Sequence, residues 1–121
     1  MILVDSSVWI DHLRKGEPDL VIALSERRVV QHPFVTLELS LGAIPDRLRF
    51  IEMLRRLPQA TVSHELALIE FIDEAELPGT GVGLIDAHLL AASARSSGIQ
   101  LWTHDKRLAK QAERLGLAAE I

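Results

Sequence analysis

The sequence has no cysteine and no tyrosine, and its aromatic residues are limited to two Trp and three Phe. Without cysteine there can be no disulfide and no cysteine-ligated zinc or iron–sulfur centre, which is compatible with a reducing compartment. Long apolar runs are missing too. The N-terminal stretch Ile2-Leu3-Val4 stops at Asp5 and has no basic segment before it, so it is too short for a signal peptide or a membrane span. The expectation is a soluble, cytoplasmic protein with no membrane association. Positive charge is also scarce, with 13 Lys and Arg against 17 Asp and Glu, a net charge of -4. That balance argues against a protein that coats nucleic acid through many phosphate contacts. It does not argue against an acidic metal site, because bound divalent cations invert the local sign.

The 121 residues, 48% of them hydrophobic, are enough for one core and too few for two, so a single domain over 1–121 is expected. Short apolar runs alternate with longer helical stretches, and Pro and Gly punctuate them. Strands are expected at Ile2–Val4, Arg28–Gln31, Thr61–Val62 and Ile99–Thr103, with a last one at Ala118–Ile121. Helices are expected over Ser7–Arg14, Asp19–Glu26, Pro33–Leu41, Asp46–Leu57, His64–Glu76, Leu84–Ser96 and Lys106–Leu115. Gly42 and Gly116 act as stop signals. Pro78 to Gly83 reads as a turn, since its glycines lack the spacing and the Lys of a phosphate-binding loop. Apolar strands separated by helices point to the α/β class, with a short parallel sheet covered on both faces.

Ligands of such sheets bind beyond the carboxyl ends of the strands. Asp5 directly follows the first strand and Asp105 follows Leu101-Trp102-Thr103 with His104 between, although for either residue alone a role as cap of the next helix is the commoner one. Glu38 has Phe34 and Leu41 as neighbours at helical spacing, so its carboxylate rises from an apolar face. It either reaches past that face to water or points into a buried site. Asp86 enters Leu84-Ile85-Asp86-Ala87-His88-Leu89-Leu90-Ala91-Ala92, a helix apolar nearly all round. A charge there requires a partner, or at least the favourable dipole of the first helical turn. Four carboxylates without sulfur or paired imidazoles suit Mg2+ or Mn2+ and phosphoryl-transfer chemistry.

Five histidines raise the question of zinc. His88 lies two residues past Asp86 on another side of the helix, His104 has no helical His partner, and no H-E-x-x-H is present. No G-x-S-x-G elbow supports a serine hydrolase built on Ser6 or Ser7. Arg47, Arg49, Arg55 and Arg56 lie on an amphipathic helix whose apolar side includes Leu48, Ile51, Met53 and Leu54. Together with Lys106, Arg107 and Lys110 they are the candidate phosphate contacts. Trp9 and Trp102 read as core or dimer residues.

Four segments in order carry a resemblance over nearly the whole chain: Met1-Ile2-Leu3-Val4-Asp5-Ser6-Ser7-Val8-Trp9-Ile10, Glu38-Leu39-Ser40-Leu41-Gly42, Gly83-Leu84-Ile85-Asp86-Ala87-His88-Leu89-Leu90-Ala91, and Leu101-Trp102-Thr103-His104-Asp105-Lys106-Arg107-Leu108. The chain resembles the PIN-domain ribonucleases, in particular the VapC toxins of VapBC toxin–antitoxin pairs. The resemblance implies a PIN-like three-layer fold and a catalytic set of Asp5, Glu38, Asp86 and Asp105. Within that set Asp5, Asp86 and Asp105 hold Mg2+ or Mn2+, supported by Ser7 and Thr103. It further implies endonucleolytic cleavage of tRNA or rRNA that inhibits translation, a homodimer, and silencing by a VapB-type antitoxin. Two departures stand out: Asp5-Ser6-Ser7 where Asp-Thr-Ser is usual, and Leu108 where an aromatic is frequent. Of other classes, a phosphoacceptor receiver domain would require an acidic pair after the first strand, and here Asp5 stands alone. An inactive PIN-like binding module would have lost one of the four acids, and all four are present.

Overall fold

The computed structural model describes residues 1–121. Three short strands, β1 (Ile2–Val4), β2 (Val29–Val30) and β3 (Gln100–Trp102), form a parallel sheet in the order β2-β1-β3. Seven helices flank it: α1 (Ser6–Lys15), α2 (Pro18–Ser25), α3 (Pro33–Ser40), α4 (Arg47–Arg56), α5 (Glu65–Glu74), α6 (Leu84–Arg95) and α7 (Lys106–Arg114). The register sets Ile2 beside Val29 and Gln100, and Val4 beside Trp102. Because β1 lies at the centre, it is buried along its whole length, as its continuous Ile-Leu-Val run requires.

A single bridge extends the sheet at each edge, Gln31 to Gln59 on one side and Leu101 to Ala118 on the other. This corrects two strand expectations. Thr61–Val62 is not a strand; pairing falls earlier, where Gln31 N–H donates to Pro58 O and Ala60 N–H donates to Gln31 O, both at 2.8 Å. Ala60 is the residue buried there, while Val62 is exposed. The C-terminal tail contributes only the Ala118 bridge rather than a strand.

The core joins β1 and β3 to Trp9 of α1, Leu89 and Leu90 of α6 and Leu108 of α7, all buried. Trp9 is fully buried, with its ring edge-on to Phe50 at 5.8 Å between centroids, and Trp102 is also a core residue. Leu108 fills its position completely without an aromatic ring. Helix α6 is enclosed from Ala87 through Ser93, as its near-uniform apolar sequence anticipates. On α4 only Leu54 is buried, whereas Leu48 is exposed, so the apolar side of that helix is narrower than its sequence implies.

The chain leaves β1 to build β2 on one side and returns to build β3 on the other. The carboxyl ends of β1 and β3 therefore lie together at the point where the strand order reverses, the position at which open α/β sheets bind ligands. Backbone pairing fixes this junction, with Asp5 N–H donating to Trp102 O at 2.9 Å.

Candidate active site

Asp5 occupies the N-cap position of α1 in extended backbone conformation, yet its side chain accepts no helix N–H. Capping therefore does not account for it. Its carboxylate is buried and is held instead by hydroxyls: Ser7 Oγ and Thr103 Oγ1 each donate to Oδ2 at 2.7 Å. The same two oxygens accept from the chain after β3, Ser7 Oγ from His104 N–H at 2.9 Å and Thr103 Oγ1 from Asp105 N–H at 3.0 Å. Each hydroxyl thus relays between the carboxylate and the β3–α7 connection. Asp5 Oδ1 has only the long 3.5 Å contact from Ser6 Oγ and retains acceptor capacity.

Asp105 does cap its helix, with Oδ1 accepting from Arg107 N–H at 2.9 Å and Leu108 N–H at 3.0 Å. The carboxylate is exposed and its second oxygen is left free. Capping and ligation are compatible for this residue, because the two roles use different oxygens.

Asp86, half-buried in the first turn of α6, accepts from Gly83 N–H through Oδ2 at 3.2 Å. Its carboxyl is pushed above the usual carboxylate range. Burial is the largest cause, opposed by the Gly83 hydrogen bond and reinforced by the negative charges of Asp5, Asp105 and Glu38, in that order. Asp86 thus senses the three other acids singled out from the sequence.

Glu38 arrives differently from expectation. The buried face of α3 is Val35, Thr36 and Leu39, and Glu38 is exposed, with Phe34 only half-buried and Leu41 fully open to solvent. Its carboxylate therefore does not emerge from the core. It borders one open depression together with Gly83, Leu84, Ile85 and Asp86, which brings the second acid of the sequence beside the third.

The four carboxylates are spread around this end of the sheet rather than packed into a knot. Only Asp11, Glu17 and His104 form a set of three His, Asp or Glu side chains with ligand atoms all within 4.8 Å of one another. That trio joins α1, the α1–α2 connection and the β3–α7 connection: His104 Nδ1 lies 2.5 Å from Asp11 Oδ2 and Nε2 lies 3.5 Å from Glu17 Oε1. Hydrogen bonding from His104 lowers the Asp11 carboxyl below its usual range. Both imidazole nitrogens are engaged, and the group buttresses the backbone carrying Thr103 and Asp105. It was not anticipated from the sequence. One signal pointed to it, because Asp11 is one helical turn after Ser7 and shares its face. His88 packs its ring against Phe34 and His32 inside the fold, away from the role of a ligand beside Asp86.

Oxygen donors alone, with a carboxyl whose ionisation three neighbouring acids oppose, form a donor set matched to a hard divalent cation. A cation held there would offset the part of the Asp86 shift that comes from the neighbouring carboxylates, burial being the largest single cause.

The fold and this acidic end define a class. A family model for the PIN domain matches residues 2–114, and the chain belongs to that family. Over 118 residues, 98% of this chain and 95% of the relative, it is 40% identical to Ribonuclease VapC32 of Mycobacterium tuberculosis, in strains CDC 1551 / Oshkosh and ATCC 25618 / H37Rv alike. This membership places the chain apart from receiver domains. PIN nucleases use divalent metal, as the donor set here anticipates.

Proposed function

We propose that the protein is a divalent-metal-dependent endoribonuclease of the VapC type, a single domain over 1–121 acting as the toxin of a toxin–antitoxin pair. The observation that carries the reading is the placement of Asp5 and Asp105 after the carboxyl ends of β1 and β3, with Asp86 of α6 near enough to feel their charge and Glu38 bordering the same depression as Asp86. The near full-length similarity to a protein named as a ribonuclease supports the same reading.

Asp5, Asp86 and Asp105 hold Mg2+ or Mn2+ in this reading. Bound there, such a cation would supply Lewis acidity and an activated water for phosphodiester hydrolysis. Ser7 and Thr103 keep the Asp5 carboxylate in one orientation, with Oδ1 open. The α7 backbone fixes Asp105 through one oxygen and leaves the other toward solvent. Glu38, exposed beside Asp86, would accept a proton from the attacking water or orient it, a role its exposure supports. Cleavage of tRNA or rRNA, with consequent inhibition of translation, is the expected activity. A VapB-type antitoxin and a second copy of the chain are the expected protein partners. No helix is long and apolar enough to cross a membrane, and the proposed compartment is the cytoplasm.

The test is cleavage of total tRNA and rRNA by the purified protein with Mg2+ or Mn2+, with chelator, and in the Asp5→Asn and Asp86→Asn variants. Metal-dependent endonucleolytic products that disappear in both variants are the expected result. Cleavage retained in chelator, or in both variants, would overturn the assignment.

A further inference from the structure

We propose that Arg107 is a substrate-binding residue of this site, presenting its guanidinium to a phosphate of single-stranded RNA; the inference rests on the ribonuclease reading and assigns the positive contact that reading lacks. In an acidic chain with four carboxylates at its site, a fixed cation beside them supplies a phosphate contact that does not depend on bound metal.

The placement of Arg107 is specific. Its N–H is tied to Asp105 Oδ1 at 2.9 Å. From the first turn of α7 the side chain crosses to the segment preceding α6 and lies over Gly81. A Cβ at Gly81 would sit 3.1 Å from Arg107 Cδ, 3.5 Å from Nε and 3.6 Å from Nη1. Gly81 has φ +89, a backbone conformation that favours glycine, and a Cβ there would push the arginine stem by a few tenths of an ångström. The arginine stem is therefore seated in a notch between the connection carrying Asp105 and the one leading to Asp86.

The head of the side chain has no internal partner. Arg14, Arg28, Arg49 and Arg56 pair with carboxylates, and Arg47, Arg95 and Arg114 donate to backbone carbonyls. The Arg107 guanidinium makes no such bond, although acidic groups surround the site, and it is exposed. Arg27 and Arg55 share this lack of a partner, but Arg27 precedes β2 at the opposite end of the strands and Arg55 lies on α4. An anchored stem with a free planar fork suits two-point recognition of a phosphate.

The experiment uses a fluorescein-labelled single-stranded RNA oligonucleotide of mixed sequence, with Mg2+ present and Asp5→Asn as the background that suppresses cleavage. Adding Arg107→Ala should weaken binding roughly tenfold and lower the slope of log affinity against log salt by about 0.7. Arg107→Lys should restore the slope but only part of the affinity, because a point charge replaces a fork. Gly81→Ala keeps the charge and displaces the stem, so it should weaken binding at unchanged slope, and it serves if Arg107→Ala fails to fold. Unchanged affinity and slope in folded Arg107→Ala, or no binding of the probe by the background protein, overturns the proposal. If binding depends on Arg107 but the wild-type protein cleaves no RNA, the ribonuclease reading fails and the phosphate site stands. If the wild type cleaves while binding ignores Arg107, the reverse holds.

Discussion

Thr103 donates to Asp5 Oδ2 at 2.7 Å across 98 residues of sequence, and accepts the N–H of Asp105 on the same oxygen. One hydroxyl thus couples two of the site carboxylates. Thr103→Val preserves shape but removes both bonds, leaving a buried carboxylate with Ser7 as its remaining strong donor. The expected cost is about 1–3 kcal/mol in denaturant unfolding, with a large loss of RNA cleavage. Thr103→Ser should retain both. Equal activity in the Val variant would mean that the hydroxyl does not set the Asp5 geometry.

Asp86→Asn should raise the thermal midpoint of the metal-free protein. The raised carboxyl means that ionised Asp86 opposes folding at neutral pH, whereas the amide oxygen can still accept from Gly83. The sign follows from linkage. The folded state holds this proton more tightly than the unfolded state does, so the contribution becomes less favourable as pH rises above the ordinary value of 3.8. The advantage of the variant should therefore vanish at low pH. Added Mg2+ should stabilise the wild type and leave the variant nearly unmoved, which scanning calorimetry with and without chelator would reveal.

Because Glu38 is exposed and makes no hydrogen bond through its side chain, Glu38→Gln should change stability by less than about 0.5 kcal/mol. Its effect should fall on turnover. A variant that unfolds early, or one that cleaves at the wild-type rate, would remove Glu38 from the site.

His32 is fully buried, its Nδ1 accepts from Phe34 N–H at 3.0 Å, and burial with the nearby His88 lowers its pKa from 6.5 to about 4. The unfolded chain then takes up a proton first as pH falls. Stability should decline from pH 6.5 toward 4, by up to about 3 kcal/mol from this residue. His32→Asn keeps a capping side chain and should flatten that part of the acid limb, measured by urea unfolding at successive pH values. An unchanged acid limb would locate the sensitivity elsewhere, His88 being the other histidine with a lowered pKa.

Much of the scaffold was legible along the chain. Ile2–Val4 and the segment around Leu101-Trp102 are too short for helices, Pro33 opens α3 at a position needing no N–H donor, and the near-uniform apolarity of α6 announced its burial. Thr61–Val62 failed as a strand because β-branched residues indicate compatibility with a sheet, whereas the turn after α4 decides which backbone groups meet Gln31. For Glu38, helical spacing named its neighbours Phe34 and Leu41, and packing left Leu41 at the surface and Phe34 only half-buried, so the apolar face expected around it does not form there.

The sequence by itself determined the chemistry available: four carboxylates, no thiols, short strands ending in acids, and the order of segments that marks the family. Only the tertiary structure decided that Asp5 is held by hydroxyls rather than capping α1, that Asp105 caps and still keeps an oxygen free, and that Arg107 lies against Gly81. Residue type and local spacing follow from neighbours along the chain. Contacts such as Asp5 with Thr103, or Asp11 and Glu17 with His104, exist only once β1 and β3 pair and carry distant loops to one end of the sheet.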